Sequence, residues 1–157
     1  MTAIGVYRKV TVGDDAALLE AELLAMAADA DLLIINGGLG PTIDDLTAQI
    51  LASAAGVALE EHPQAVTHLE QWCAQRKLHL NAANRKQALL PAGAGIIDNP
   101  IGSAVGFELM LGNCRVMCTP GVPSELRAML DWIVTDLGKR LARPVERNIL
   151  RLQTFGL

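Results

Sequence analysis

The chain has 157 residues, 51% of them hydrophobic, yet only two Trp, one Tyr and two Phe, so it is long enough to bury one core and that core must be aliphatic and alanine-rich. A formal net charge of −4, no run of Lys or Arg and so few aromatics leave neither a stripe to track duplex phosphates nor a platform on which single-stranded bases stack, so no nucleic-acid partner is expected. Three cysteines without paired spacing argue against a disulfide framework, no apolar run reaches the length of a membrane span, and the N-terminus shows no signal-peptide pattern; a soluble cytoplasmic protein without a membrane partner is expected.

Residues 6–12 carry β-branched side chains in loose alternation and predict a first strand, closed by Gly13. Asp14 or Asp15 then caps a helix to about Ala30, with Leu18, Ala21, Leu24, Ala25 and Ala28 at helical spacing as its apolar face. Residues 32–35 are a continuous aliphatic run, which suits a strand covered on both sides in a parallel sheet. After a glycine loop, residues 45–55 predict a helix stopped by Gly56. His62-Pro63 opens another, bearing Val66, Leu69, Trp72 and Cys73, to about Arg76. Residues 81–90 read as a short helix ended by Pro91, and residues 95–98 as a short strand. Residues 103–111 and 115–119 read as a hairpin around Gly112-Asn113. Pro120-Gly121-Val122-Pro123-Ser124 turns the chain into a last helix from Glu125 to about Leu141, with Leu126, Met129, Leu130, Ile133, Val134 and Leu137 inward; residues 147–155 read as extended. This alternation, with its inserted hairpin, predicts one α/β domain, a three-layer sandwich around a mostly parallel sheet.

The stretch from Leu32 to Thr47 carries the chemistry. A buried strand runs into Gly37-Gly38-Leu39-Gly40-Pro41-Thr42 and then into Ile43-Asp44-Asp45 at a helix start. Gly37, Gly38 and Gly40 allow backbone angles closed to other residues and let a ligand approach the main chain, and the outward amides of such a turn favour an anion such as phosphate. Asp44 and Asp45 would repel that anion unless a divalent cation such as magnesium lay between them; alternatively, one of them only caps the helix. The loop lacks the lysine of a P-loop, and Ile43 stands where a dinucleotide fingerprint needs its third glycine. The turn at residues 120–124 should share the carboxyl edge of the sheet with this loop, making two walls of one pocket, or be no more than a proline-stiffened turn. Cys114 and Cys118, four apart, find no further Cys or His to complete a metal set and read as buried structural thiols; His62, His68 and His79 form no ligand pair.

Four blocks in order carry a resemblance: Val12-Gly13-Asp14-Asp15; the loop from Gly37 to Thr47; Asn84-Arg85-Lys86-Gln87-Ala88 with Asn99-Pro100-Ile101-Gly102-Ser103-Ala104-Val105-Gly106-Phe107; and Thr119-Pro120-Gly121-Val122-Pro123-Ser124-Glu125. In these the chain resembles the molybdopterin-binding-like superfamily of molybdenum-cofactor proteins, and within it the N-terminal domain of the CinA (competence- and damage-inducible) family. The resemblance implies a three-layer α/β fold and metal-dependent hydrolysis of ADP-ribose to AMP and ribose 5-phosphate; the alternative it leaves is a non-catalytic module for molybdopterin or another phosphorylated ligand. Carried over by position, Gly37, Gly38, Gly40 and Thr42 would hold phosphate. Asp45, with Asp44 as the CinA-like addition, would bind magnesium and orient water. Lys86 would meet a second phosphate, or be an ordinary solvated lysine; Asn84, Ser103, Gly121 and Ser124 would line the ribose or phosphate. Against the family pattern the chain is expected to lack the opening strand and Gly-Asp-Glu turn, and the distal deamidase domain. Loss of that opening unit would expose strand edges and predicts a homo-oligomer or a rearranged N-terminal strand.

Overall fold

The computed structural model describes residues 6, 8–13 and 15–140. Its first helix, α1 (Ala16–Asp29), begins where the Asp15 carboxylate accepts the Leu18 amide at 2.9 Å, satisfying one of the free N–H groups of a first turn. Strand β1 (Leu32–Asn36) follows, then α2 (Thr47–Ala55), which ends on Gly56 at φ +66° with its amide returned to the Ser53 carbonyl. Helix α3 (Pro63–Gln75) has proline at its start, where the missing N–H costs no helical bond. A short α4 (Ala82–Arg85) and a 3-10 turn lead to the last helix, α5 (Pro123–Arg140).

The main sheet has the order β1-β6-β5-β4, built from β1, β4 (Gly95–Ile97), β5 (Gly106–Leu111) and β6 (Cys114–Thr119). Only β1 and β6 run parallel; β5 and β6 form the expected hairpin around Gly112-Asn113, and β4 pairs antiparallel with β5. Helices α1, α2 and α3 cover one face, where Leu23, Leu51 and Leu69 meet Leu33, Phe107, Val116 and Cys118. Helix α5 covers the other with Met129, Ile133 and Leu137 against Ile97 and Met117. The three-layer α/β arrangement expected from the sequence is present, but the sheet is mixed and not mostly parallel, because the β5–β6 hairpin and β4 both pair antiparallel.

Several local expectations are corrected. Residues 8–13 form no strand, and Val6 is 84% exposed: a strand needs a partner edge, and among the described residues this segment is held by Arg8 on Glu22 at 2.8 Å and by the Gly13 carbonyl on the Asp15 amide. Among the described residues β1 has one strand neighbour, β6, and Ile34 is 42% exposed instead of covered on both sides. In α1 the buried face is one residue on from the expected one. Leu23 is buried and Leu19, Met26, Ala27 and Ala30 pack on the core, while Leu18 and Leu24 are exposed at 51% and 44%. A helix apolar nearly all round does not choose its own face. Residues 89–91 are a strand, β3 (Leu89–Pro91), paired with β2 (Leu59–Glu61), which no sequence signal announced. Val134 on α5 is exposed, not inward. The extended segment expected at residues 147–155 lies outside the described residues.

Candidate functional site

Because β1 and β6 are parallel neighbours, their carboxyl ends lie side by side and each feeds a turn there, the place where open α/β sheets take ligands. Asn36, the last residue of β1, joins the two turns: Nδ2 donates to Thr119 Oγ1 at 3.1 Å and to the Pro120 carbonyl at 2.7 Å. The Gly37 amide donates to the Thr119 carbonyl at 2.8 Å. At Gly121 a Cβ would stand 3.3 Å from the Gly37 Cα, tighter than ordinary contact, and one at Gly37 would stand 3.9 Å from the Gly121 Cα, so the turns touch at their glycines. Gly37 and Gly38 both take positive φ, at +109° and +72°. Behind them the first residue of α2 closes the bend, with Thr47 Oγ1 donating to the Gly37 carbonyl at 2.9 Å.

The outer half of the bend is organised by Asp45. Its Oδ2 accepts the Thr42 amide at 2.9 Å and the Thr42 hydroxyl at 2.6 Å. Burial alone would raise the Asp45 carboxyl, but the Thr42 hydroxyl, the amides of Gly40 and Thr42 and the Lys86 ammonium outweigh it and hold it below the usual carboxylate range. Lys86 Nζ donates to the carbonyl of Asp45 at 3.0 Å and to that of Thr42. A cavity of about 120 Å³ lies against the bend, lined by Gly38, Gly40, Asp45, Lys86, Gln87 and Leu90.

A third loop joins from the side. Asn99 is 1% exposed, and both ends of its amide are used. Its Nδ2 donates to the Ala104 carbonyl and to Glu125 Oε2, each at 2.7 Å, while Oδ1 accepts the amides of Ile101 and Gly102. Glu125 sits in the first turn of α5, so this loop is fixed to the helix that follows the second turn. From the other side α3 holds the same loop: His68 Nε2 meets the Gly102 carbonyl at 2.9 Å, and Trp72 Nε1 donates to the Ile101 carbonyl at 3.2 Å with Arg76 stacked on its ring. The larger groove between α3 and β4, about 490 Å³ and lined by Gln64, Thr67, His68, Gln71, Ile96 and Asp98, contains none of the bend residues.

The residues expected to act together separate into two groups. Gly37, Gly38, Gly40, Thr42, Asp45, Lys86 and Gly121 converge at the paired turns. Asp44 is exposed on the same turn. Among the described residues, the side chains of Asn84, Ser103 and Ser124 make no hydrogen bond to the bend; Asn84 contributes its amide to the Asn81 cap of α4. Sequence reasoning did not single out Asn36, Thr47, Asn99 or Glu125, which position the loops. A polar Asn ending an aliphatic strand was one available signal, although Asn36 as a residue is exposed.

The chemistry of the donors decides what the bend suits. Asp45 faces amides, a hydroxyl and an ammonium, and among the described residues no three or more His, Cys, Asp or Glu are grouped to hold a metal ion. Donors of this kind are complementary to an anion.

The family model described as "probable molybdopterin binding domain" matches residues 2–140. A CinA-like protein of Colwellia psychrerythraea is 54% identical over 155 residues, covering 98% of this chain and 36% of that protein. A CinA-like protein of Escherichia coli is 43% identical over 150 residues, covering 95% and 37%. The chain thus spans just over a third of the length of these curated relatives. The crystal structure of the protein CinA, of unknown function, from Thermoplasma acidophilum superposes with a TM-score of 0.70 at 31% identity, covering 79% of this chain and 73% of that one.

Proposed function

The chain belongs to the probable molybdopterin binding domain family and to its CinA-like members, and from that membership we propose that it binds a small phosphorylated ligand at the glycine bend. The observation that carries this reading is the contact of Gly37 with Gly121, which sets the bend and the second turn side by side at the carboxyl edge of β1 and β6. The amides of Gly38, Gly40 and Thr42 are the phosphate donors, and a molybdopterin-type ligand or an ADP-ribose-type diphosphate supplies the phosphate.

Hydrolysis of such a diphosphate to AMP and ribose 5-phosphate is the second reading. The exposed Asp44 carboxylate beside the bend favours it, as does Asp45. Magnesium belongs to this reading as a separate proposal. Two further proposals complete it: a reducing cytoplasmic setting, supported by the free and buried Cys73, Cys114 and Cys118, and a homo-oligomer, supported by the edge of β1 that no strand covers among the described residues.

Thermal melts with ADP-ribose and with pyrophosphate test binding. At a hundredfold excess over Kd, a ligand that binds only the folded state adds about 2.7 kcal/mol, which for a chain of this size raises Tm by about 5 °C or more. A Tm unmoved by either ligand sinks the reading. AMP release from ADP-ribose, with and without magnesium, in the protein and in Asp45→Asn tests hydrolysis; equal rates in both proteins remove Asp45 from it.

A further inference from the structure

We propose that the Asp45 carboxylate is a built-in stand-in for the ligand's phosphate, and that a ligand binds by exchanging its phosphate for this carboxylate in the glycine bend. The inference deepens the phosphate-binding reading and rests on it.

Three observations lead there. First, two of the donors that would receive a phosphate are already used: one oxygen of Asp45 takes both the amide and the hydroxyl of Thr42, and the carboxylate also takes the Gly40 amide. An amide N–H serves one strong acceptor at a time, so a phosphate and this carboxylate cannot hold the Thr42 amide together. Second, the space at Gly40 is taken by the same group. A Cβ there would stand 2.5 Å from Asp45 Oδ2, so the missing side chain that lets an anion approach the main chain now admits the protein's own acid. Third, Lys86 donates to main-chain oxygens of the turn, those of Thr42 and Asp45, and not to the Asp45 carboxylate. The backbone of the turn is therefore anchored independently of where the Asp45 side chain points. A side-chain rotation can vacate the seat while the amides stay in place.

A plain helix cap does not account for the pair. In a capping box the acid, at the third position of the helix, reaches back to the amide of the N-cap residue just before that helix. Here α2 begins at Thr47, with Leu46 before it and no side-chain cap, so Thr42 and Asp45 hold a separate turn that precedes the helix.

The exchange predicts that removing the resident anion improves binding of a free one. Calorimetric titration with inorganic pyrophosphate in EDTA-containing buffer compares the protein with Asp45→Ala and with the near-isosteric Asp45→Asn, each shown to be folded by its melting transition. Both variants are expected to bind about tenfold more tightly than the parent, and the Thr42 amide resonance of the parent is expected to move on pyrophosphate addition. Equal or weaker binding by both variants, with the parent still binding, overturns the exchange and leaves the phosphate-binding reading standing. Absence of binding by parent and variants alike overturns both. A Thr42 amide that stays fixed while pyrophosphate binds also overturns the exchange, because the ligand would then sit elsewhere.

Discussion

Gly38 shows how much one residue of the bend carries. Its φ of +72° lies in the left-handed region, and a Cβ there would run into the Thr47 hydroxyl that closes the turn on the Gly37 carbonyl. Gly38→Ala therefore adds backbone strain of about 1–2 kcal/mol and forfeits a hydrogen bond of about 1 kcal/mol. The expected loss is about 2–3 kcal/mol in urea unfolding, together with the Tm rise on pyrophosphate; a variant as stable as the parent would show that the bend is looser than described. The need for glycine here was legible in the sequence, because a run of glycines after an aliphatic strand has few other uses. The partner that enforces it was not, since Thr47 reads as an ordinary helix residue. The cysteines are the second case at this scale. Cys73, Cys114 and Cys118 are free and buried, and burial pushes the Cys118 thiol well above its ordinary range; burial, then the Asp31 charge, raises Cys114 as well. Thiol titration with an aromatic disulfide is expected to find none of the three reactive in the folded protein and all of them after denaturation.

Among the elements, α5 depends on close approach to the sheet. A Cβ on Gly106 would stand 2.7 Å from the Cys118 carbonyl and 3.2 Å from the Ile97 side chain, and would press on Met129 of α5. Backbone cannot give way as a flexible side chain can, so Gly106→Ala should cost about 1–3 kcal/mol by overpacking. Met129→Ala should cost about 2–5 kcal/mol from the same contact by leaving a void. Urea melts of the two variants check this, and near-parental stability in both would mean that α5 is not seated on Gly106. Helix existence was legible throughout, from the Asp15 cap, the Pro63 start and the Gly56 stop. The choice of face was not. In α1 leucine and alanine occur on every side, and the packing of Leu19, Leu23 and Met26 selected the buried stripe. The β2–β3 pair was hidden for a related reason: three-residue strands carry too little alternation to be read, and Pro91 resembles a helix terminator until its partner Leu59 is in place.

For the molecule as a whole, the edge of β1 away from β6, uncovered by a strand among the described residues, is the place where another chain could add. In its parallel register with β6, alternate residues of β1 turn their N–H and C=O groups away from the sheet, and Ile34 on that edge is exposed. A flat apolar border is a template for another chain, and a lysine at its centre blunts it. The proposed homo-oligomer is expected to sediment above monomer mass, and Ile34→Lys to shift it to monomer; a monomeric parent at micromolar concentration would dispose of the proposal. The amino-acid sequence by itself determined the class of fold and the glycine bend, because these follow from strand–helix alternation and local conformational freedom, and it offered the pairing of that bend with the Pro120 turn as one of two alternatives. Only the tertiary structure decided the position of β1 beside β6, the face of α1, and the use of the Thr42 amide and Lys86 within the molecule. Those outcomes depend on which distant groups meet, Asn36 with Pro120 and Lys86 with Thr42, and no local pattern records a contact between residues so far apart in the chain.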